Sequence, residues 1–447
     1  MIITNKEMKR VLLSLALILL PIAVHAAGEI EIDGIYYNLD LNNKTAEVVF
    51  HSDYYYQGEV VIPLSVTFEE VNYSVIGILE NAFKWSTELT SVTMPNSITK
   101  IAEDAFAHCR NLKSINMSEN IVNIGEGAFS GCINLTSITI PSKVTNIGTS
   151  TFNGCKALEK VIINSNAIVS KNYIMNTTSI SSYFASSKAD LKYILGDEIT
   201  SIGDYAFDWS NAIEINIPKN VISIGEGAFR ECSNITSVNI PRSVKSIGNN
   251  AFYNCHELVS IEVENGNLEY DSRGNCNALI KTADNTLLLG CKNTIIPNNI
   301  TAIGDNAFYN CWGISILIIP NSLKNIGNQA FIGCSNLTDI YCYAEQVPEM
   351  GSNVFSSFFY DYFQKTKLHV PAGSLEAYCN AEQWKEFKEI VALTDDDPKP
   401  TGIKDINNDS ITTGRYYSLN GQQIATPRRG LNIILMKDGT TKKVIVK

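Results

Sequence analysis

Eleven cysteines and only five histidines hold most of the reactive potential of this 447-residue sequence. Seven of the cysteines share one spacing: Cys109, Cys132, Cys155, Cys232, Cys255, Cys311 and Cys334 each follow a phenylalanine by three residues. A ladder of thiols could ligate a metal, exchange disulfides or, with His108 and His256 beside ladder cysteines, supply a Cys–His nucleophile. The pattern argues against each of these. No C-x-x-C spacing occurs, nothing orients a third partner for either histidine, and Ser86 and Ser210 occupy the same slot. A slot that accepts any small side chain is a packing position. Motifs of the H-E-x-x-H, G-x-S-x-G and phosphate-loop kinds are missing, and the carboxylates show no fixed pairing. Asp405-Ile406-Asn407-Asn408-Asp409-Ser410 begins like a calcium loop, but Ser410 stands where Gly is needed and Tyr416 where Glu is needed. It reads as polar linker. No catalytic, cofactor or metal residue is nominated, and the chain reads as a non-enzyme.

The elements that set this spacing are repeats. Phe83, Phe106, Phe129 and Phe152 lie 23 residues apart, and Phe207, Phe229, Phe252, Phe308, Phe331 and Phe355 continue the series with two steps of 55 and 56. Each long step has room for one degenerate coil plus an insertion. The unit is close to I-x-x-I-G-x-x-A-F-x-x-C-x-x-L-x-S-I-x-I-P. Ser137-Ile138-Thr139-Ile140 alternates polar and apolar as a half-buried strand does, and Pro141 ends it. Gly125, Gly148, Gly225, Gly248, Gly304 and Gly327 are expected to permit a tight turn. Ala-Phe pairs let successive rings stack along one interior line. A single coil cannot bury its own apolar edge, whereas stacked coils about 4.8 Å apart can. The predicted fold is an α/β-type, strand-rich repeat solenoid, a curved stack with a parallel sheet.

This unit resembles the BspA-type leucine-rich repeat of bacterial surface proteins over about residues 29–393. Asp33-Gly34-Ile35-Tyr36-Tyr37 and Gly58-Glu59-Val60-Val61-Ile62-Pro63 resemble that family's N-terminal cap strands. Asn265 to Asn293 resembles its hairpin insertion, and Leu368 to Ser374 with Ala377-Tyr378 and Trp384 resembles its closing coil. Thr151 in place of Ala, and the poorly matched stretch 165–193, depart from the pattern. In the hairpin that the resemblance implies, Cys276 and Cys291 are the expected disulfide. Ladder cysteines on adjacent coils would lie about 5 Å apart, within disulfide reach, so their oxidation stays open. The family resemblance implies a non-catalytic, adhesin-like scaffold that binds host matrix or cell-surface proteins. The alternative is an envelope structural or glycan-binding module.

Alternation along each strand sends one residue outward between two inward ones. That outward position reads Thr93, Asn116, Thr139, Ile162, Asn216, Asn239, Glu262, Ile318 and Tyr341. Thr93, Asn116, Thr139, Asn216, Asn239, Glu262, Ile318 and Tyr341 are the candidate binding face, suited to an extended protein or glycan surface. Asn111, Asn134, Asn234 and Asn336 recur just before the strand and read as a structural ladder satisfying turn backbone.

At the N-terminus, Lys6, Lys9 and Arg10 precede an apolar run from Val11 to Leu20, then Val24-His25-Ala26. This is a secretory signal over 1–26, too short to span a membrane. The net charge of −11 argues against nucleic-acid binding. Arg415 to Lys447 departs from that balance, with seven basic residues against Asp438 alone. The predicted organisation is a β cap over 27–75, the solenoid over 76–393 with insertions near 165–193 and 265–293, a linker over 394–414 and a small β module over 415–447. That module resembles the C-terminal sorting domains of type IX-like secretion, which would place the protein in contact with secretion machinery. A plain accessory β domain is the other reading. Secreted or cell-surface localisation is expected, with no transmembrane span.

Overall fold

The computed structural model describes residues 27–187, 190–355 and 365–400. Beyond them it gives the backbone of four strands, Arg415–Tyr417, Gln423–Ile424, Gly430–Leu435 and Thr441–Val446. The signal over 1–26, the calcium-like Asp405–Ser410 and most of the linker lie outside the described residues. Two compact units emerge: residues 1–158 with 183–188, and 159–182 with 189–447.

In the first unit the S-I-x-I segments pair in parallel, as Leu89–Thr93 does with Gly58–Val61 on one side and Ser114–Asn116 on the other. A second parallel sheet runs through dipeptides placed just before the glycines. Asn123-Ile124 lies between Lys100-Ile101 and Asn146-Ile147. The glycines serve this sheet differently from expected. Gly125 has no left-handed φ; a Cβ there would stand 2.4 Å from the Ala102 carbonyl carbon. Successive backbones cross too closely for any side chain, so the glycine permits close approach and not a turn.

A third row of bonds follows the anchor turn. The N–H groups of Asp104, Phe106 and His108 donate to the carbonyls of Glu126, Ala128 and Ser130 in the next coil, at 2.9, 2.7 and 2.7 Å. Asp104 and His108 make this possible with φ of 53° and 62°. The left-handed backbone two residues either side of the phenylalanine turns alternate peptides along the stacking direction. The pair recurs as Gly127 and Gly131, so the positions before and after each anchor favour Gly, Asn or Asp. A larger side chain there costs about 1–2 kcal/mol. Three bonded sides within 23 residues leave no stretch for a helix, which corrects the α/β expectation. Among the described residues the α-helices are Asn166–Val169 and Leu375–Asn380. The architecture is strand-dominated, repeat-rich and mostly parallel.

The anchor rings form the core. Phe83, Phe106, Phe129 and Phe152 stack at 4.8, 5.1 and 5.3 Å with planes within 8°. Phe184 then stacks on Phe152 at 4.8 Å. It is the anchor of the degenerate coil inside the 55-residue step. It lacks the Ala-Phe-x-x-Cys frame, yet it precedes Phe207 by the repeat length. Thr151 keeps its buried slot by donating its hydroxyl to Gly148 O at 2.6 Å. The N-terminal strands Ala27–Ile32, Ile35–Asp40 and Thr45–Val48 pair antiparallel, and the last of them pairs in parallel with Val71–Ile78.

The second unit repeats the scheme. Phe207, Phe229 and Phe252 stack at 5.6 and 5.1 Å, and Phe308, Phe331 and Phe355 at 5.0 and 5.3 Å. In the 56-residue step, Ala278–Lys281 and Thr286–Gly290 make an antiparallel hairpin. Gly290 takes the place of an anchor: a Cβ there would lie 2.0 Å from the Phe308 ring. Phe387 closes the row edge-on to Phe355 at 5.3 Å. The four tail strands pair antiparallel in the order 423–424, 415–417, 430–435, 441–446.

Candidate functional site

Six ladder thiols donate to the carbonyl of the anchor phenylalanine one coil earlier, from Cys109 to Phe83 O at 3.0 Å through Cys334 to Phe308 O at 3.3 Å. Cys311 reaches Gly290 O at 3.8 Å, the stand-in for the missing anchor. Burial pushes the Cys109, Cys155 and Cys311 thiols up to about 12, and those of Cys132, Cys255 and Cys334 well above their ordinary value. A thiol held protonated is neither nucleophile nor metal ligand. Ser86 fills the same slot by accepting the Tyr56 N–H at 3.0 Å.

The histidines beside the ladder face elsewhere. His108 stacks on Trp85 at 4.1 Å and His256 on Trp312 at 4.3 Å. All eleven cysteines are free thiols, Cys276 and Cys291 among them. Cys291 Sγ donates to Asn277 O at 3.5 Å. Among the described residues no group of His, Cys, Asp and Glu could hold a metal ion, and no helix is long and apolar enough to cross a membrane.

The strand-face residues fall in short register-matched sets. In the first unit Thr93 lies opposite Asn116, with exposed Val61 on its other side. Thr139 is half-buried on Ser137–Ile140. In the second unit Asn239 lies opposite Glu262, and Ile318 opposite Tyr341 and then His369. Asn216 is exposed, and its amide also accepts the Leu195 N–H at 2.7 Å and donates to Leu195 O at 3.3 Å, which ties it to the neighbouring strand. The asparagine ladder reaches between coils and not into its own turn. Asn234 donates to Asn211 O at 3.1 Å and Asn336 to Trp312 O at 2.7 Å, while Asn111 and Asn134 bond side chains.

Tyr341 has more company than its sequence position suggests. Its ring stacks on His369 at 4.2 Å, and His369 Nε2 lies 3.1 Å from Asp339 Oδ1. Asp397 stands 3.9 Å from the other ring nitrogen, and Tyr343 donates to Pro398 O at 3.1 Å. The start of the linker thus lies against this sheet. Burial, then Asp339 and Asp397, raise the Tyr341 phenol above its ordinary value.

Sequence reasoning passed over the exposed indoles. Trp85, Trp209 and Trp312 are 44%, 59% and 44% exposed, all near anchor turns and none on the strand face. Their signal was position: Trp85 and Trp209 stand two residues after an anchor phenylalanine.

The sequence profile of the BspA type leucine rich repeat region matches six copies, over residues 76–199, 200–281 and 281–371. The chain belongs to this family. Solved structures similar to it include a leucine rich cell surface protein from Faecalibacterium prausnitzii, 22% identical over 83% of this chain and 96% of that one, at TM-score 0.43. A leucine-rich repeat protein from Bacteroides ovatus is 21% identical over 82% and 100%, at TM-score 0.41. The pneumococcal vaccine antigen PcpA is 17% identical over 83% and 86%, at TM-score 0.35. No curated protein is detectably similar to the chain.

Proposed function

We propose that this BspA-type chain is an exported, surface-displayed solenoid scaffold that binds an extracellular protein without catalysis. Proteins of the family are typically secreted or on the cell surface, and the basic-then-apolar run before Ala26 suits export. The observation that carries the reading is the contrast within each repeat. The thiols and rings are committed to the interior, while Thr93, Asn116, Asn239 and Glu262 are exposed on parallel strands. Such side chains at strand spacing suit an extended partner better than a small molecule. The tail, in this reading, addresses the protein to the outer surface.

Binding of the purified protein to immobilised matrix proteins, with polysaccharides alongside, tests the function. Saturable binding to at least one protein is expected; saturable binding to a polysaccharide alone overturns it. Deleting Tyr416–Lys447 tests the tail, with loss of surface exposure expected and unchanged display contradicting it.

A further inference from the structure

The left-handed positions flanking each anchor are mostly Gly, Asn, Asp or Ser, but the coil of Phe207 carries an aromatic at both. Tyr205 has φ 54° and Trp209 has φ 57°. Bulky side chains are outliers in this region, and such outliers gather where a ligand is held. Burial does not compensate Trp209, which is 59% exposed, the most open of the four tryptophans.

The ring is nevertheless fixed. Its Nε1–H donates to Asn176 Oδ1 at 3.1 Å, and the Arg230 guanidinium carbon lies 5.9 Å from the ring centroid. Asp208, itself buried, clamps Arg230 through Nε–Oδ1 at 2.9 Å and Nη2–Oδ2 at 3.2 Å, and accepts the Asn176 N–H at 3.2 Å. Arg230 Nη2 also donates to Asn176 Oδ1. On the other side of the anchor the Tyr205 hydroxyl donates to Glu226 Oε1 at 2.7 Å. Its ring lies against Gly227, where a Cβ would come within 2.4 Å. An exposed aromatic already immobilised has little left to lose in ordering when a ligand arrives.

The surroundings select the ligand. A protein anchor would bury its side chain in a desolvated pocket. Trp209 is an open ring, edged by an amide and a guanidinium. A polyanion would need unpaired positive charge, yet Arg230 is held by Asp208, with Glu231 4.0 Å from its Nη1, in a chain of net charge −11. What remains is a ring-shaped molecule with an apolar C–H face and a rim of hydroxyls. We propose that Trp209, with Tyr205, Asn176 and Arg230, binds a neutral pyranose saccharide, the indole acting as the stacking platform. The site lies off the strand face and does not depend on the protein-binding reading.

Affinity electrophoresis of the full chain through gels containing mixed-linkage β-glucan, galactomannan or arabinoxylan, with heparin as the polyanion, tests it. At least one neutral polysaccharide should retard the protein. Trp209→Ala should weaken that binding about tenfold or more, Trp209→Phe by less than about threefold, and Trp312→Ala, whose exposed indole sits on unstrained backbone, not at all. Retardation by heparin alone, by none of the four, or equally in Trp209→Ala overturns the proposal. Melting supplies the second readout. Trp209→Gly relieves the backbone, so its Tm should stay within about 2 °C of the parent; a fall beyond about 5 °C assigns the indole to stability and overturns the site.

Discussion

The coils of Phe129 and Phe207 have the same backbone and different surfaces. Both bury the Ala-Phe pair completely, and both donate three N–H groups to the next coil. Around Phe129 the left-handed positions are Gly127 and Gly131; around Phe207 they are Tyr205 and Trp209. The thiol slot holds Cys132 in one and Ser210 in the other, both buried. The inward half of the repeat is therefore dictated by packing. The outward half varies: its left-handed positions hold glycines in one coil and two aromatics, one of them open to solvent, in the other. This asymmetry is how a repeat protein can change what it binds without changing how it folds.

Removing an anchor ring has the largest expected effect. Phe129→Ala and Phe207→Ala should each cost about 3–5 kcal/mol in urea unfolding, because each leaves a ring-sized void between stacked neighbours. A clear inequality between them would mean that the two interiors are not equivalent. Next comes Gly125→Ala, where the new methyl meets backbone at 2.4 Å and should cost about 1–3 kcal/mol in the same assay. Loss near zero would show that the coils can slide apart locally.

The smallest effect concerns the thiols. Burial raises Cys109 from 9.0 to about 12, so the protonated thiol is favoured in the folded state. The stabilisation is complete below pH 9, where both states hold the proton. It is lost as pH rises from 9 to 12, because the unfolded chain releases its proton first. Urea midpoints should fall across that window, and Cys132→Ser should flatten the fall while costing no more than about 1.5 kcal/mol at neutral pH. A midpoint independent of pH up to 12 would contradict the buried-thiol assignment. Ellman's reagent offers a direct count: Cys379 is the exposed cysteine and the other ten are buried.

Legibility in the sequence followed the same division. Phe spacing, the thiol slot and the S-I-x-I strand could be read because packing repeats the same residue types at the same interval. The second parallel sheet was hidden, since Asn123-Ile124 is only a dipeptide with no alternation to detect. Phe184 was missed for want of its flanking Ala and Cys, although Phe207 follows it by 23 residues. Composition does not separate a left-handed φ from the close crossing that Gly125 makes, so the turn expected there is a crossing instead. Asn216 is exposed as its position implies, but spacing does not reveal that its amide bonds the Leu195 backbone. The place of Trp209 two residues after its anchor is legible in the sequence, whereas its left-handed φ is a property of the backbone.

Paired substitutions on the strand face separate binding from folding. Thr93→Ala with Asn116→Ala, and separately Asn239→Ala with Glu262→Ala, should leave the melting temperature unchanged. At least one pair should abolish saturable binding to the extracellular protein that the parent chain captures. If both pairs bind like the parent, or if binding falls only together with melting, the strand face is not the binding surface.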